Sequence, residues 1–135
     1  MELKRNSNAV YQLNYHLIFV TKYRKKVFTN DDIIETTKEI MRTIAAGFDA
    51  DIINQECGED HIHLMITTKP TTDLTKMVNL LKGTSARQIR KQYETELSDV
   101  LYGDSFWSDS YYIATAGNVS VDTLYNYIEN QRKKI

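Results

Sequence analysis

The spacing of apolar and polar positions changes period several times along the chain, and each change marks an element. "VYQLNYHLIFVTKY" (10–23) is rich in β-branched and aromatic residues and alternates, which predicts a strand. "TNDDIIETTKEIMRTIAAGF" opens with the capping types Thr29 and Asn30, carries Ile33, Ile34, Ile40, Met41 and Ile44 near helical spacing, and ends at Gly47. "DADIINQEC" and "HIHLMITTK" read as two strands joined by a tight turn over Gly58–Asp60, hence a hairpin. Pro70 stops the second strand. Thr71, Thr72 and Asp73 then offer caps for a long helix through Tyr93, with Leu74, Met77, Val78, Leu81 and Ile89 as its apolar stripe and Gly83 as a weak point. "ELSDVLYGDSFWSDS" predicts a loop or short helix, and "YYIATAG" a last strand. Gly117 and Asn118 break the chain, and "SVDTLYNYIENQRKKI" predicts a final helix capped by Ser120 or Asp122.

The resulting order is β-α-β-β-α-β plus one helix, an α+β, ferredoxin-like pattern with an antiparallel sheet. Such a sheet is covered by two helices on one face and partly free on the other. The 135 residues read as a single domain, with a core over about 8–116 and the last helix over about 119–135. A hydrophobic content of 41% and a charged content of 26% are ordinary for a soluble globular protein. One cysteine, Cys57, allows no intrachain disulfide. With no membrane-length apolar run and no secretory signal, a cytoplasmic location without a membrane partner is expected.

The net charge of −1 argues mildly against a nucleic-acid binder, but its distribution is uneven. "TKYRKK" gathers Lys22, Arg24, Lys25 and Lys26. Leu74–Tyr93 holds Lys76, Lys82, Arg87, Arg90 and Lys91 with no acid. Either patch by itself reads as a solvated face; together they could grip phosphates.

Two of the three histidines, His61 and His63, alternate with Ile62 and Leu64 on one predicted strand. Their imidazoles therefore share a face, pointing away from the core side of Ile62, Leu64 and Ile66. Such a pair can chelate one divalent metal, or be no more than exposed histidines near a turn. Tyr127 and Gln131, four apart on the last helix, share a helical face. A phenol is a weak nucleophile unless assisted, and a glutamine oxygen suits a hard cation such as Mg²⁺ or Mn²⁺.

His61-Ile62-His63 resembles the histidine-hydrophobic-histidine (HUH) motif of single-strand DNA nucleases. "YNYIENQ" resembles the tyrosine helix of the single-tyrosine HUH transposases of small bacterial and archaeal insertion sequences, the IS-two-hundred type. "YHLIFVTKYRKKV", "LLKGTSARQIR" and "FWSDSYYIATAG" extend the resemblance over nearly the whole chain. It implies a metal-dependent, ATP-independent DNA transposase that cleaves and rejoins single strands through a 5′-phosphotyrosine. Tyr127 would be the nucleophile, and His61, His63 and Gln131 the ligands of Mg²⁺ or Mn²⁺. The implied partners are single-stranded DNA with hairpin-containing element ends, and a second copy in a homodimer whose active sites could be composite in trans or closed in cis. Lys22, Arg24, Lys25, Lys26, Lys82, Arg87, Arg90 and Lys91 would contact the DNA backbone, with Tyr23, Phe106 and Trp107 as stacking candidates, the last two better read as core. Two other classes stay open: a metal-dependent hydrolase that uses water, and a non-catalytic ferredoxin-like nucleic-acid-binding module.

Overall fold

A computed structural model of the chain describes all residues except 1, 2, 7, 102, 104, 117–120 and 132–135. The expected break at Gly117–Asn118, the Ser120 cap and the Asp122 side chain fall outside what it describes.

A four-stranded antiparallel sheet is formed by β3 (Leu13–Val20), β4 (Asp51–Cys57), β5 (His61–Thr68) and β6 (Tyr112–Thr115), in the spatial order β4-β5-β3-β6. The helices α1 (Asp31–Ala46) and α2 (Leu74–Gln92) lie between β3 and β4 and between β5 and β6 in sequence. This is the expected β-α-β-β-α-β connection. The short α3 (Glu94–Leu97) overlaps the start of the predicted loop-or-helix segment, and α4 (Val121–Glu129) follows the sheet.

The helix ends obey their local chemistry. The Asn30 side chain accepts from the Ile33 amide at 2.9 Å, and Asp31 and Asp32 favour the positive end of α1. Asp73 caps α2 by accepting from the Lys76 amide at 3.0 Å. α1 buries Ile33, Thr37, Met41 and Ala45, and α2 buries Met77, Val78, Leu81, Ser85 and Ile89. They close over Leu17, Phe19, Ile62, Leu64 and Ile66, all at most 1% exposed. Each such side chain contributes about 1.5–3 kcal/mol by leaving water. Ser85 is tolerated in this stripe because Trp107 Nε1 donates to its hydroxyl at 2.9 Å. Phe106 and Trp107 are buried beside Phe28, as core rather than as stacking surfaces. Burial pushes the Cys57 thiol up to about 12, against a smaller opposing pull from Lys38, so it behaves as a small apolar group.

The predicted first strand differs in two places. It is interrupted at Gln12: β2 (Val10–Tyr11) pairs with β1 (Lys4–Arg5) in a small separate hairpin, closed by Asn6 accepting from the Asn8 and Ala9 amides. It also ends at Val20 rather than Tyr23. Thr21 turns out of the sheet to bridge Trp107, and Lys22–Arg24 form a 3₁₀ turn. The Lys22 amide donates to Phe106 O and the Thr21 amide and hydroxyl to Asp60 O, tertiary partners that override the local strand preference.

Candidate active site on the open sheet face

Strand register places the histidines. Val20 lies opposite His61, Ile18 opposite His63, and His16 opposite Met65. His61, His63 and His16 therefore share the face turned away from α1 and α2. α4 rests on that same face: Ile128 is buried against Ile18 and Val20, and the Tyr127 ring packs on Tyr112 with centroids 5.2 Å apart. In the single chain described, α4 lies on that chain's own sheet.

His61 is held from two sides. Its Nδ1 donates to Asp60 Oδ1 at 2.9 Å, which directs Nε2 away from the carboxylate as the nitrogen able to ligate. Gly58 passes beneath the ring: a Cβ there would meet His61 Cε1 at 2.3 Å, so the turn needs glycine for close approach. Burial raises the Asp60 carboxyl, but hydrogen bonds from His61 and Arg24 outweigh it and hold the group below its ordinary value. His63 Nε2 lies 2.8 Å from His16 Nδ1, and His63 Nδ1 3.9 Å from Glu56 Oε2. Burial, then the nearby His16, holds His63 below the usual imidazole range against the opposing Glu56. The neutral form is the metal-ligating one.

The structure brings Tyr127 and Gln131 onto the histidine face without joining them to the imidazoles. Tyr127 Oη is 3.3 Å from Ser110 Oγ and stands over β6, whereas the histidines stand on β5, two strands across, about 10 Å by strand spacing. Gln131 lies beyond the end of α4. Its Oε1 accepts from Ser108 Oγ at 3.2 Å and its Nε2 donates to Tyr127 O at 3.3 Å. The expectation that helical spacing alone would align Gln131 with Tyr127 is thus replaced by a direct side-chain contact to the Tyr127 carbonyl. Tyr125 points outward and is exposed. Among the described residues no three His, Cys, Asp or Glu side chains form a metal-holding group. Two imidazoles, His63 favoured neutral by burial, with an amide oxygen on the same face, fit a divalent cation.

The basic candidates divide. Arg24 is turned inward, to Asp60 and Glu129. Lys82 Nζ donates to the Ser108 and Asp109 carbonyls, and burial lowers its pKa against the pull of Asp109. Lys22 pairs with Asp109 at 3.7 Å, and the ammonium groups of Lys22 and Lys25 lie by the Tyr23 ring. Lys26 is exposed. Arg87, Arg90 and Lys91 line a groove of about 690 Å³, although Arg90 also donates to the Ser105 and Gly103 carbonyls.

Sequence reasoning missed His16, Asp60, Glu56 and Gly58. His16 carried a usable signal: on a strand it alternates with Leu17 and Phe19 and so faces away from the core. Its meeting with His63 depends on cross-strand register, which the sequence does not show.

Fold and site together define a ferredoxin-like α+β protein with a histidine pair and a tyrosine-bearing helix on one sheet face. The family described as "Transposase IS200 like" matches residues 9–131, and the chain belongs to it. It is 36% identical over 134 residues to the ISDra2 transposase TnpA of Deinococcus radiodurans, covering 99% of this chain and 94% of that one. It is 26% identical over 128 residues to the transposase for insertion sequence element IS200 of Salmonella typhimurium, covering 95% and 82%. A crystallised candidate transposase from Deinococcus radiodurans R1 superposes with a TM-score of 0.86 at 31% identity, over 97% of this chain and 99% of that one. A REP-associated tyrosine transposase bound to a REP hairpin shares the fold, with a TM-score of 0.54 at 10% identity, over 97% and 70%. No helix among the described residues is long and apolar enough to cross a membrane.

Proposed function

We propose that this transposase cleaves and rejoins single-stranded DNA through a covalent bond to Tyr127. The observation that carries the reading is the docking of α4 by Ile128 on the same sheet face that presents His61 and His63. The contact of Ile128 with Ile18 and Val20 seats the helix, but it does not by itself require a tyrosine beside a histidine pair.

In this reading Tyr127 Oη attacks the scissile phosphorus and the bond to the 3′ oxygen breaks. The proton lost by the phenol balances the one gained by the 3′-hydroxyl. The 5′-phosphate stays on tyrosine, and a free 3′-hydroxyl reverses the attack at a new junction, so no nucleotide cofactor is consumed. His61, His63 and Gln131 would hold a Mg²⁺ or Mn²⁺ ion, which would polarise and orient the phosphate, and Asp60 and Gly58 fix the His61 ring. Arg87 and Lys91 grip backbone phosphates along the groove. The structural neighbour bound to a REP hairpin supports hairpin-containing DNA as the partner. The central strands β3 and β5 carry His16, Ile18, Val20, His61 and His63 on this face and no exposed aromatic, unlike a sheet that binds by stacking bases.

Joining two ends needs two tyrosines, so the working unit is a two-fold pair of chains. A mixed pair of His61→Ala and Tyr127→Phe separates the arrangements: a site shared between chains restores cleavage, and one closed within each chain does not.

The decisive experiment incubates the protein with single-stranded DNA from its genomic flanks and Mg²⁺. A denaturant-resistant protein–DNA adduct is expected, and Tyr127→Phe abolishes it while binding persists. Cleavage that survives in Tyr127→Phe without an adduct would instead establish hydrolysis by water.

A further inference from the structure

Arg24 is held in an unusual way. Tyr23 and Arg24 both have positive φ, 58° and 54°. Non-glycine residues keep that backbone only where surrounding contacts hold it. The Arg24 side chain is 13% exposed. Nε donates to Asp60 Oδ2 at 2.9 Å, and Nη1 lies 3.4 Å from Glu129 Oε2. The second oxygen of Asp60 accepts from His61 Nδ1. One unbroken line of polar contacts thus runs from the last turn of α4, through Arg24 and Asp60, to the imidazole of His61. Other ties of α4 and Gln131 go to Ile18 and Val20 on β3, and to Tyr112, Ser108 and Ser110 on or before β6. Arg24 connects α4 to the turn that leads into β5 and its histidines.

We propose that Arg24 is a positioning residue that couples the seating of α4 to the ring orientation of His61. A guanidinium fork can hold two carboxylates at once in fixed directions. With Glu129 in place the fork is fixed, and Asp60 is fixed with it, one oxygen committed to Arg24 and the other to His61. When α4 lifts, the fork loses one anchor and the carboxylate gains freedom to turn. Coupling is reciprocal, so whatever orders His61 must seat α4 by the same factor. What His61 does with its free nitrogen rests on the metal reading above; the coupling itself rests on the contacts.

The test uses the full chain, with three readouts: the ¹⁵N NMR signature of His61, hydrogen exchange of the amides of residues 127–131, and Mn²⁺ titration. Glu129→Gln lowers exchange protection about threefold, the loss of a largely exposed ion pair, and moves the His61 signal away from the Nδ1–H form. Arg24→Gln does both more strongly, and Mn²⁺ affinity falls about tenfold, as for loss of an outer partner of a ligand. Arg24→Lys keeps a cation for Asp60 but cannot span to Glu129, so it behaves as Glu129→Gln does: protection falls about threefold and the His61 signal moves with it. A His61 signal unmoved in Glu129→Gln, Arg24→Lys and Arg24→Gln, while α4 protection falls, would overturn the coupling and leave Arg24 a plain staple. Should Arg24→Gln fail to fold, Glu129→Gln and Arg24→Lys decide it. Should the wild type bind no Mn²⁺, the metal reading falls and the other two readouts still judge the coupling.

Discussion

On one face of the sheet Leu17, Phe19, Ile62, Leu64 and Ile66 are sealed beneath α1 and α2. On the other, one position along the same strands, His16, His61 and His63 share their surface with α4, whose apolar footing is Ile128 on Ile18 and Val20. The first face joins residues distant in sequence into one continuous apolar body. The second is a small apolar contact beside a line of polar ones. Stability and chemistry are thus separated by the pleat of the strand. A face relieved of the main core can carry imidazoles at modest cost, and its lightly anchored helix is free to take part in a reaction.

The largest effect expected from this division is on chemistry alone. His61→Ala and His63→Ala each lower cleavage on the order of 10³-fold, about 4 kcal/mol in barrier, and leave thermal stability within about 1 kcal/mol of wild type. EDTA should reproduce the loss in the unmodified protein. Full cleavage in EDTA would remove the metal from the site and return the histidines to ordinary surface residues.

Leu64→Ala changes the neighbour of His63 on the opposite face. Its side chain is fully buried, so denaturant unfolding should show a loss of about 3 kcal/mol, with the folded fraction still competent to cleave. If cleavage per folded molecule fell as far as in His63→Ala, the two faces would not be separable.

Ile128→Ala sharpens the contrast from the other side. Global stability should fall by only about 1 kcal/mol, because the contact is small, while amide exchange in α4 speeds up more than in α1 or α2. Equal exchange changes in all three helices would show that α4 belongs to the main core after all.

The smallest effect concerns Gly83, which interrupts the polar side of α2 and has open space where a Cβ would stand. Gly83→Ala should stabilise the protein by about 0.5–1 kcal/mol through helix propensity, raising the melting temperature without touching adduct formation.

Much of this was determined by sequence. The stripes of α1 and α2, the Asn30 and Asp73 caps and the alternation of β5 are local rules, and local periodicity sets which way each side chain points. Alternation alone sent His61 and His63 away from Ile62 and Leu64, and the shared motifs marked Tyr127. Tertiary structure decided what no local rule reaches. The first strand stopped at Val20 because Phe106 and Trp107, far along the chain, captured Thr21 and Lys22. His16 met His63 because antiparallel register set them diagonally across β3 and β5. Gly58 proved to be the floor beneath an imidazole rather than only a turn residue. Arg24, which composition assigned to a basic patch, turned inward because two carboxylates, one from the β4–β5 turn and one from α4, converge on it. Charge and spacing are properties of the chain, but the partner of each charge is a property of the fold, since a hydrogen bond forms only between groups that packing has already brought within about 3 Å.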